Sequence, residues 1–216
     1  MKDDWKLKQD VEEELEWTPE VVAARIGVEV SGGIVTLSGH PTSYAEKLAA
    51  EKAVRRVAGV RAVVVETDVR LPHRDVRYDS DIANAADTVL RWTVGLPEGT
   101  VKLQVEKGHV TLRGDVEWAY QRHMAVRAIA HMRGVTGVTN QIRVRADLAV
   151  EDIGKEIARA LTRHAEREAR HIAIKVEDGT VTLSGKVDST TERAAARGAA
   201  WATRGVTAVI DNLEFG

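Results

Sequence analysis

Apolar residues recur along this chain in one fixed order, three times over. Leu7, Val11 and Leu15 stand four apart, as do Ile82, Ala86 and Leu90, and then Ile153, Ile157 and Leu161. A spacing of four keeps side chains on one face of an α-helix, so each set predicts an amphipathic helix. The period then drops to two. Ile26, Val28 and Val30 alternate with polar residues, as do Val101, Leu103, Val105 and Ile172, Ile174, Val176. Alternation predicts half-buried strands. A second alternating run follows each first one, at Val35/Leu37, Val110/Leu112 and Val181/Leu183. Between the runs stand Gly32-Gly33, Lys107-Gly108 and Asp178-Gly179. These pairs suit a two-residue hairpin turn, whose central residues take positive φ.

An alanine-rich segment comes next and predicts a second helix. Its core stripe reads as Ala49, Ala50, Ala53, Val54 and Val57 in the first copy, and as Met124, Ala128 and Met132 in the second. Gly59-Val60, Gly134-Val135 and Gly205-Val206 stop these helices, the glycine being a natural residue just past a helix end. A last strand alternates as Val63, Val65, Val69, then Val138, Ile142, Val144, then Val209, Leu213, Phe215. The second strands are expected to end at Gly39, Gly114 and Gly185, which lie 75 and 71 residues apart. The fold class is therefore α+β, with three tandem αββαβ modules at 1–71, 72–146 and 147–216. Each is a small three-stranded sheet with two helices packed on one face. A core of this size is marginal alone, so the modules are expected to lean on one another.

Composition narrows the function classes. The chain has 216 residues, 31 of them Lys or Arg and 33 Asp or Glu, a net charge of −2 that makes no whole-chain case for nucleic acid. Cysteine is absent, which excludes disulfides, thiolate metal sites and a cysteine nucleophile. No apolar run reaches the roughly 18 residues of a membrane span. The opening MKDDWKLKQDVEEELEW lacks the apolar stretch of a secretory signal. The expectation is a cytoplasmic chain, at most peripheral to a membrane, and periplasmic if a leader has been removed.

The pattern Gly-x-Val-Thr-Leu-x-Gly, an alanine-rich helix, then Gly-Val-x-x-Val resembles the BON domain, a family of osmotically induced and nodulation-linked bacterial proteins. Leu15-Glu16-Trp17, Gly33 to Gly39, Ser43-Tyr44-Ala45-Glu46-Lys47 and Gly59-Val60 carry the resemblance in the first copy. The family often has an asparagine six residues after the helix-ending glycine; Asn140 fits, while Val65 and Asp211 stand there in the other copies. The resemblance implies a non-enzymatic module that binds phospholipid surfaces or protein partners under envelope or osmotic stress. Many relatives are periplasmic or lipoproteins.

The residues themselves offer little catalysis. No His, Asp, Glu or Ser falls at one place in all three copies beside a plausible partner. His40 aligns with Asp115 and Lys186, His109 with Ile34 and Thr180, and His164 with Thr18 and Thr93. The sequence has no His-Glu-x-x-His, Gly-x-Ser-x-Gly or P-loop pattern. His164 and His171 could share a metal only across a helix end, without a third ligand nearby. The expectation is no enzyme, no cofactor and no metal. Gly134-Val135-Thr136-Gly137 resembles the nucleotide clamp of the KH domain, but the other copies lack the second glycine, and RNA is the distant alternative.

Charge singles out the middle module. It holds 11 basic and 8 acidic side chains, against 10 and 13 in the first and 10 and 12 in the third. On its second helix Tyr120, His123, Arg127 and His131 fall along one side, with Trp118 just before it. Rings beside cations suit contact with anionic lipid headgroups, and the histidines gain charge as pH falls through about 6.5. The competing account is a solvated helix face with Trp118 tucked against a neighbouring module. Trp17 and Trp92 are expected to close one end of a module's core. Trp201 points away from its own stripe and is expected to be covered by another module. The leading expectation is peripheral association with an anionic phospholipid surface or envelope components. The alternative is a protein-interaction or chaperone-like module that does not touch lipid.

Overall fold

The computed structural model describes residues 3–145, 150–164 and 172–215. The order helix, strand, strand, helix, strand is present three times. The first module has α1 (Asp4–Glu16), β1 (Ile26–Ser31), β2 (Ile34–Gly39), α2 (Tyr44–Arg56) and β3 (Ala62–Thr67). The second has α3 (Asp79–Trp92), β4 (Val101–Glu106), β5 (His109–Val116), α4 (Ala119–Ala130) and β6 (Gly137–Val144). The third has α5 (Val150–His164), β7 (Ile172–Glu177), β8 (Thr180–Val187), α6 (Thr190–Trp201) and β9 (Ala208–Phe215). Each module builds its own three-stranded sheet with the hairpin's second strand in the centre. In the first and third sheets the hairpin is antiparallel, with Val28 opposite Leu37 and Ile174 opposite Leu183. The last strand is parallel, with Val35 beside Val63 and Val181 beside Val209. A parallel neighbour cannot be reached by a tight turn, so α2 and α6 serve as the crossovers.

The first-helix stripe lies where its period puts it. Leu7, Val11 and Leu15 pack with Val35, Leu37, Ala50, Ala53 and Val54 in one core. Ile153 and Ile157 do the same with Val181, Leu183, Ala196 and Ala200; the Leu161 side chain lies outside the described residues. Beyond its first turn, α4 buries Ala125, Ile129 and Ala130. The stripe expected at Met124, Ala128 and Met132 is only half-buried. The core face lies one residue later because Ala119 and Gln121, both buried at the start of α4, set the helix rotation.

All three hairpins turn on two residues of positive φ: Gly32 and Gly33 at 56° and 79°, Lys107 and Gly108 at 51° and 76°, Asp178 and Gly179 at 46° and 75°. That is the type I′ geometry, which matches the strand twist. β2 ends at Gly39 as expected, but β5 and β8 run two residues past Gly114 and Gly185. Their extra residues end in Val116 and Val187, both buried. The first module has Pro41 at that position, which cannot donate to a ladder and stops the strand early.

By contact density the described chain divides into two compact units, and the division runs through the middle module. One reaches Val89 and adds Leu103–Leu112 and Arg127–Thr139; the other holds Leu90–Lys102, Arg113–Val126 and the chain from Asn140 onward.

Candidate functional site

The first and third modules start the second helix alike, Ser43 with Glu46 and Ser189 with Glu192, and the middle module departs from them. In the first module Ser43 Oγ accepts the Glu46 N–H at 3.0 Å. The Glu46 carboxylate is buried and turns back. It accepts the Val22 N–H at 2.9 Å and, at 2.6 Å each, the Thr42 N–H and hydroxyl. The serine supplies half of a capping box, while the carboxylate reaches past the cap to Thr42 and Val22 and pins the loop behind it. The middle module has Trp118 in place of that serine, with no hydroxyl to offer. Gln121 replaces the whole device: its Oε1 accepts the Glu117 and Trp118 N–H groups at 3.1 Å each, and its Nε2 donates to the Gly95 carbonyl at 2.8 Å.

Released from capping, Trp118 lies half-buried with its ring 6.4 Å from that of Tyr120, tilted by 40°. Tyr120 lies over Gly95, so close that a Cβ there would sit 3.5 Å from its ring and hydroxyl. Gly95 lies in the loop after α3; Trp92, the last residue of α3, and Val94, next to Gly95, are 82% and 88% exposed. Tyr120 is exposed as well, so the middle module leaves these three apolar side chains open.

Trp92 therefore does not close the core, and neither does Trp17, which is 85% exposed. The stripe Leu7, Val11, Leu15 continues inward at Thr18, which is buried with its hydroxyl donating to the Glu14 carbonyl at 2.7 Å. Trp17, one residue earlier, sits at the helix end and faces out.

The other singled-out residues separate along α4. His123 is exposed, with Nδ1 2.9 Å from the Ala119 carbonyl. Its ring meets Trp201 edge-on, 6.0 Å between centroids. Trp201 is half-buried and also packs on the third module's core. Two polar contacts flank that pair: Arg122 donates to the Thr207 carbonyl at 3.3 Å, and Glu117 pairs with Arg204 at 3.3 Å. Arg127 and His131 are exposed at the far end of the helix, His131 Nδ1 lying 3.0 Å from the Arg127 carbonyl. The structure thus joins Trp118 to Tyr120 and His123 to Trp201.

Polar residues that the sequence reading missed, or named without a role, tie the turns and strands together. Asp4 accepts the Gly32 and Gly33 N–H groups at 2.7 and 3.2 Å, and Asp79 accepts those of Lys107 and Gly108 at 2.8 Å each. The signal was an aspartate opening the first helix 28 residues before each turn. Asn140 accepts the Ile142 N–H at 3.0 Å, and Asp211 does the same for Leu213 at 3.1 Å. Asp211 also holds Arg193 at 2.9 Å and Arg197 at 3.6 Å. The Arg193 hydrogen bond, together with the Leu213 N–H and both guanidinium charges, keeps its carboxyl below the usual range.

Among the described residues no group of three His, Cys, Asp or Glu could hold a metal, and no helix is long and apolar enough to cross a membrane. His171 and the His164 side chain lie outside the described residues.

Known proteins give these features a setting. Osmotically-inducible protein Y of Escherichia coli K12 is 32% identical over 124 residues, which are 53% of this chain and 61% of that protein. The chain thus spans less than two thirds of that relative's length. Among solved structures, CdsD, a structural protein of the type III secretion system of Chlamydia trachomatis, is 16% identical with a TM-score of 0.27, over 98% of this chain and 93% of that one. The periplasmic domain of PrgH from S. typhimurium is 13% identical with a TM-score of 0.23, over 89% and 95%. Overlaps that low support no argument. The BON domain profile, in contrast, matches residues 3–70, 78–146 and 149–216, one match for each αββαβ unit built above. With nearly its whole length accounted for in this way, the chain belongs to the BON domain family.

Proposed function

We propose that this chain is a non-enzymatic, stress-associated binding protein that associates peripherally with anionic phospholipid surfaces. The observation that carries this reading is the exposure of Trp92, Val94 and Tyr120 in the middle module. Rings of this kind settle at the headgroup level of a bilayer, where one side is apolar and the other wet. The middle module's excess of three basic side chains, 11 against 8, adds attraction to anionic lipid. A relative named for osmotic induction supports the stress setting.

Co-sedimentation with vesicles of phosphatidylglycerol and phosphatidylcholine, against phosphatidylcholine alone, at low and high salt, tests it. Binding is expected to need the anionic lipid and to weaken with salt. Trp92→Ser with Tyr120→Ser should weaken it about tenfold, or about 1.4 kcal/mol. Arg127→Glu should also weaken it, while Arg197→Glu in the third module should matter little. Trp118→Ser restores a capping hydroxyl beside Gln121 and should lower binding without lowering the melting temperature. No binding to either vesicle, or full binding by the Trp92/Tyr120 variant, overturns the lipid reading and leaves a protein partner.

A further inference from the structure

The same contact between modules is made twice, in the same register. Within one compact unit, the start of the first module's α2 faces the segment that leaves α4. Tyr44 is half-buried there, accepting the Val138 N–H, and burial raises its hydroxyl pKa. Thr42, Ser43 and Ala45 line one side of a cleft of about 440 Å³, with Ala130, His131, Met132, Arg133 and Gly134 on the other. Within the other unit, Glu117, Arg122 and His123 at the start of α4 meet Arg204, Thr207 and Trp201 at the end of α6. Under the repeat offsets of 75 and 71 residues, Thr42 and Arg133 correspond to Glu117 and Arg204, and Ala130 to Trp201.

A contact of this kind joins two different faces, a helix start and a helix end, so two uses among three modules leave one of each kind open. Burial identifies the open ones. Ala130 is buried and its counterpart Arg55 is exposed. Thr190 at the start of α6 is exposed, whereas its counterparts Tyr44 and Ala119 are half-buried and buried. Chemistry follows burial. Where the contact is made, the helix starts offer Tyr44, Leu48 and His123 and the last helix end offers Trp201. The open faces offer Thr190, Ala194, Arg55 and Arg61.

We propose that a second copy of the chain would join through this junction if the open faces matched, and that Arg55 with the small residues Thr190 and Ala194 keeps copies apart. A repeated heterologous contact propagates without limit unless its terminal faces are polar. An arginine at the position that Trp201 fills in the third module would have to be desolvated without a facing acid. The helix-start residue opposite it would be Ala194, which supplies neither a ring nor a charge.

Sedimentation velocity over a hundredfold range of concentration tests this on the full chain. The wild type is expected to stay monomeric. Arg55→Trp combined with Ala194→His copies the Trp201–His123 pair onto the open faces and should give assemblies whose mean mass rises with concentration. Each substitution alone should leave a monomer, and an equimolar mixture of the two single variants should form complexes. If the combined variant melts early, Ala58→Arg is measured instead, because it places the counterpart of Arg204 opposite Asp188. A folded combined variant that stays monomeric overturns the proposal, as does a wild type that already assembles and is dissociated by Arg55→Glu.

Discussion

At the start of the second helix the first module buries a carboxylate and the middle module buries an amide in the same place. Glu46 is ringed by donors, the N–H groups of Val22 and Thr42 and the Thr42 hydroxyl. Gln121 has donors on one side and the Gly95 carbonyl on the other. The cause lies in the incoming loop. Where the first module has Val22 the middle one has Pro97, which has no N–H to give. A carboxylate facing a carbonyl is repelled, and only the amide supplies a donor there. Asp211 and Asn140 repeat the choice. Both accept an N–H two residues on, but the acid stands where Arg193 and Arg197 converge. Acid and amide are nearly the same shape, so the neighbouring donors decide between them.

The sharpest way to break this comparison is Gln121→Glu. A buried carboxylate against the Gly95 carbonyl should cost about 3 kcal/mol at pH 8. Its folded pKa is raised above the unfolded value, so the deficit should shrink as the pH falls towards about 4, where the neutral acid can donate. Denaturant melts at both pH values check the sign. Next comes Glu46→Gln, which turns an amide nitrogen towards N–H groups and should cost about 1–2 kcal/mol. Amide exchange should place that loss in the first module. Adding Pro97→Ala to Gln121→Glu returns the missing N–H and should recover about 1 kcal/mol as a coupling in a double-mutant cycle. Smallest is Asp211→Asn, which keeps the Leu213 contact and loses the arginines, at about 0.5 kcal/mol. The Asp211 carboxyl is held below its ordinary 3.8, so its contribution is present above that pH and lost as pH falls through the lower folded value. The variant should therefore lose less stability than the wild type below about pH 4.

Module order, hairpins and the first-helix stripe were all legible, because each rests on a period or a turn that local sterics enforce. What was not legible depended on partners distant in sequence. The face of α4 was misjudged by one residue because Met124 and Met132 are as apolar as the true core residue Ile129. The rotation goes with the buried start of the helix, Ala119 and Gln121, the latter anchored on Gly95. Trp17 and Trp92 were expected inside because they are large and apolar, yet two positions past a buried leucine is nearly the opposite side of a helix. Tyr120 was singled out by its helical angle and Trp118 by its place just before the helix, whereas the exposure of Trp92 and Val94 depends on a helix end and a loop path that the pattern does not encode.

The parallel last strand of the first and third modules has a consequence during synthesis. A ribosome releases the hairpin of such a module early, and β1 with β2, or β7 with β8, can pair as soon as both are out. β3 and β9 pair with the central strand only after the intervening helix has been made. Until then one edge of the central strand is bare. At roughly 10 residues per second that interval lasts about 2 to 3 seconds per module. Each bare edge is a place for a chaperone to hold or for a neighbouring nascent chain to pair wrongly, and each is sealed by the residues that finish the module.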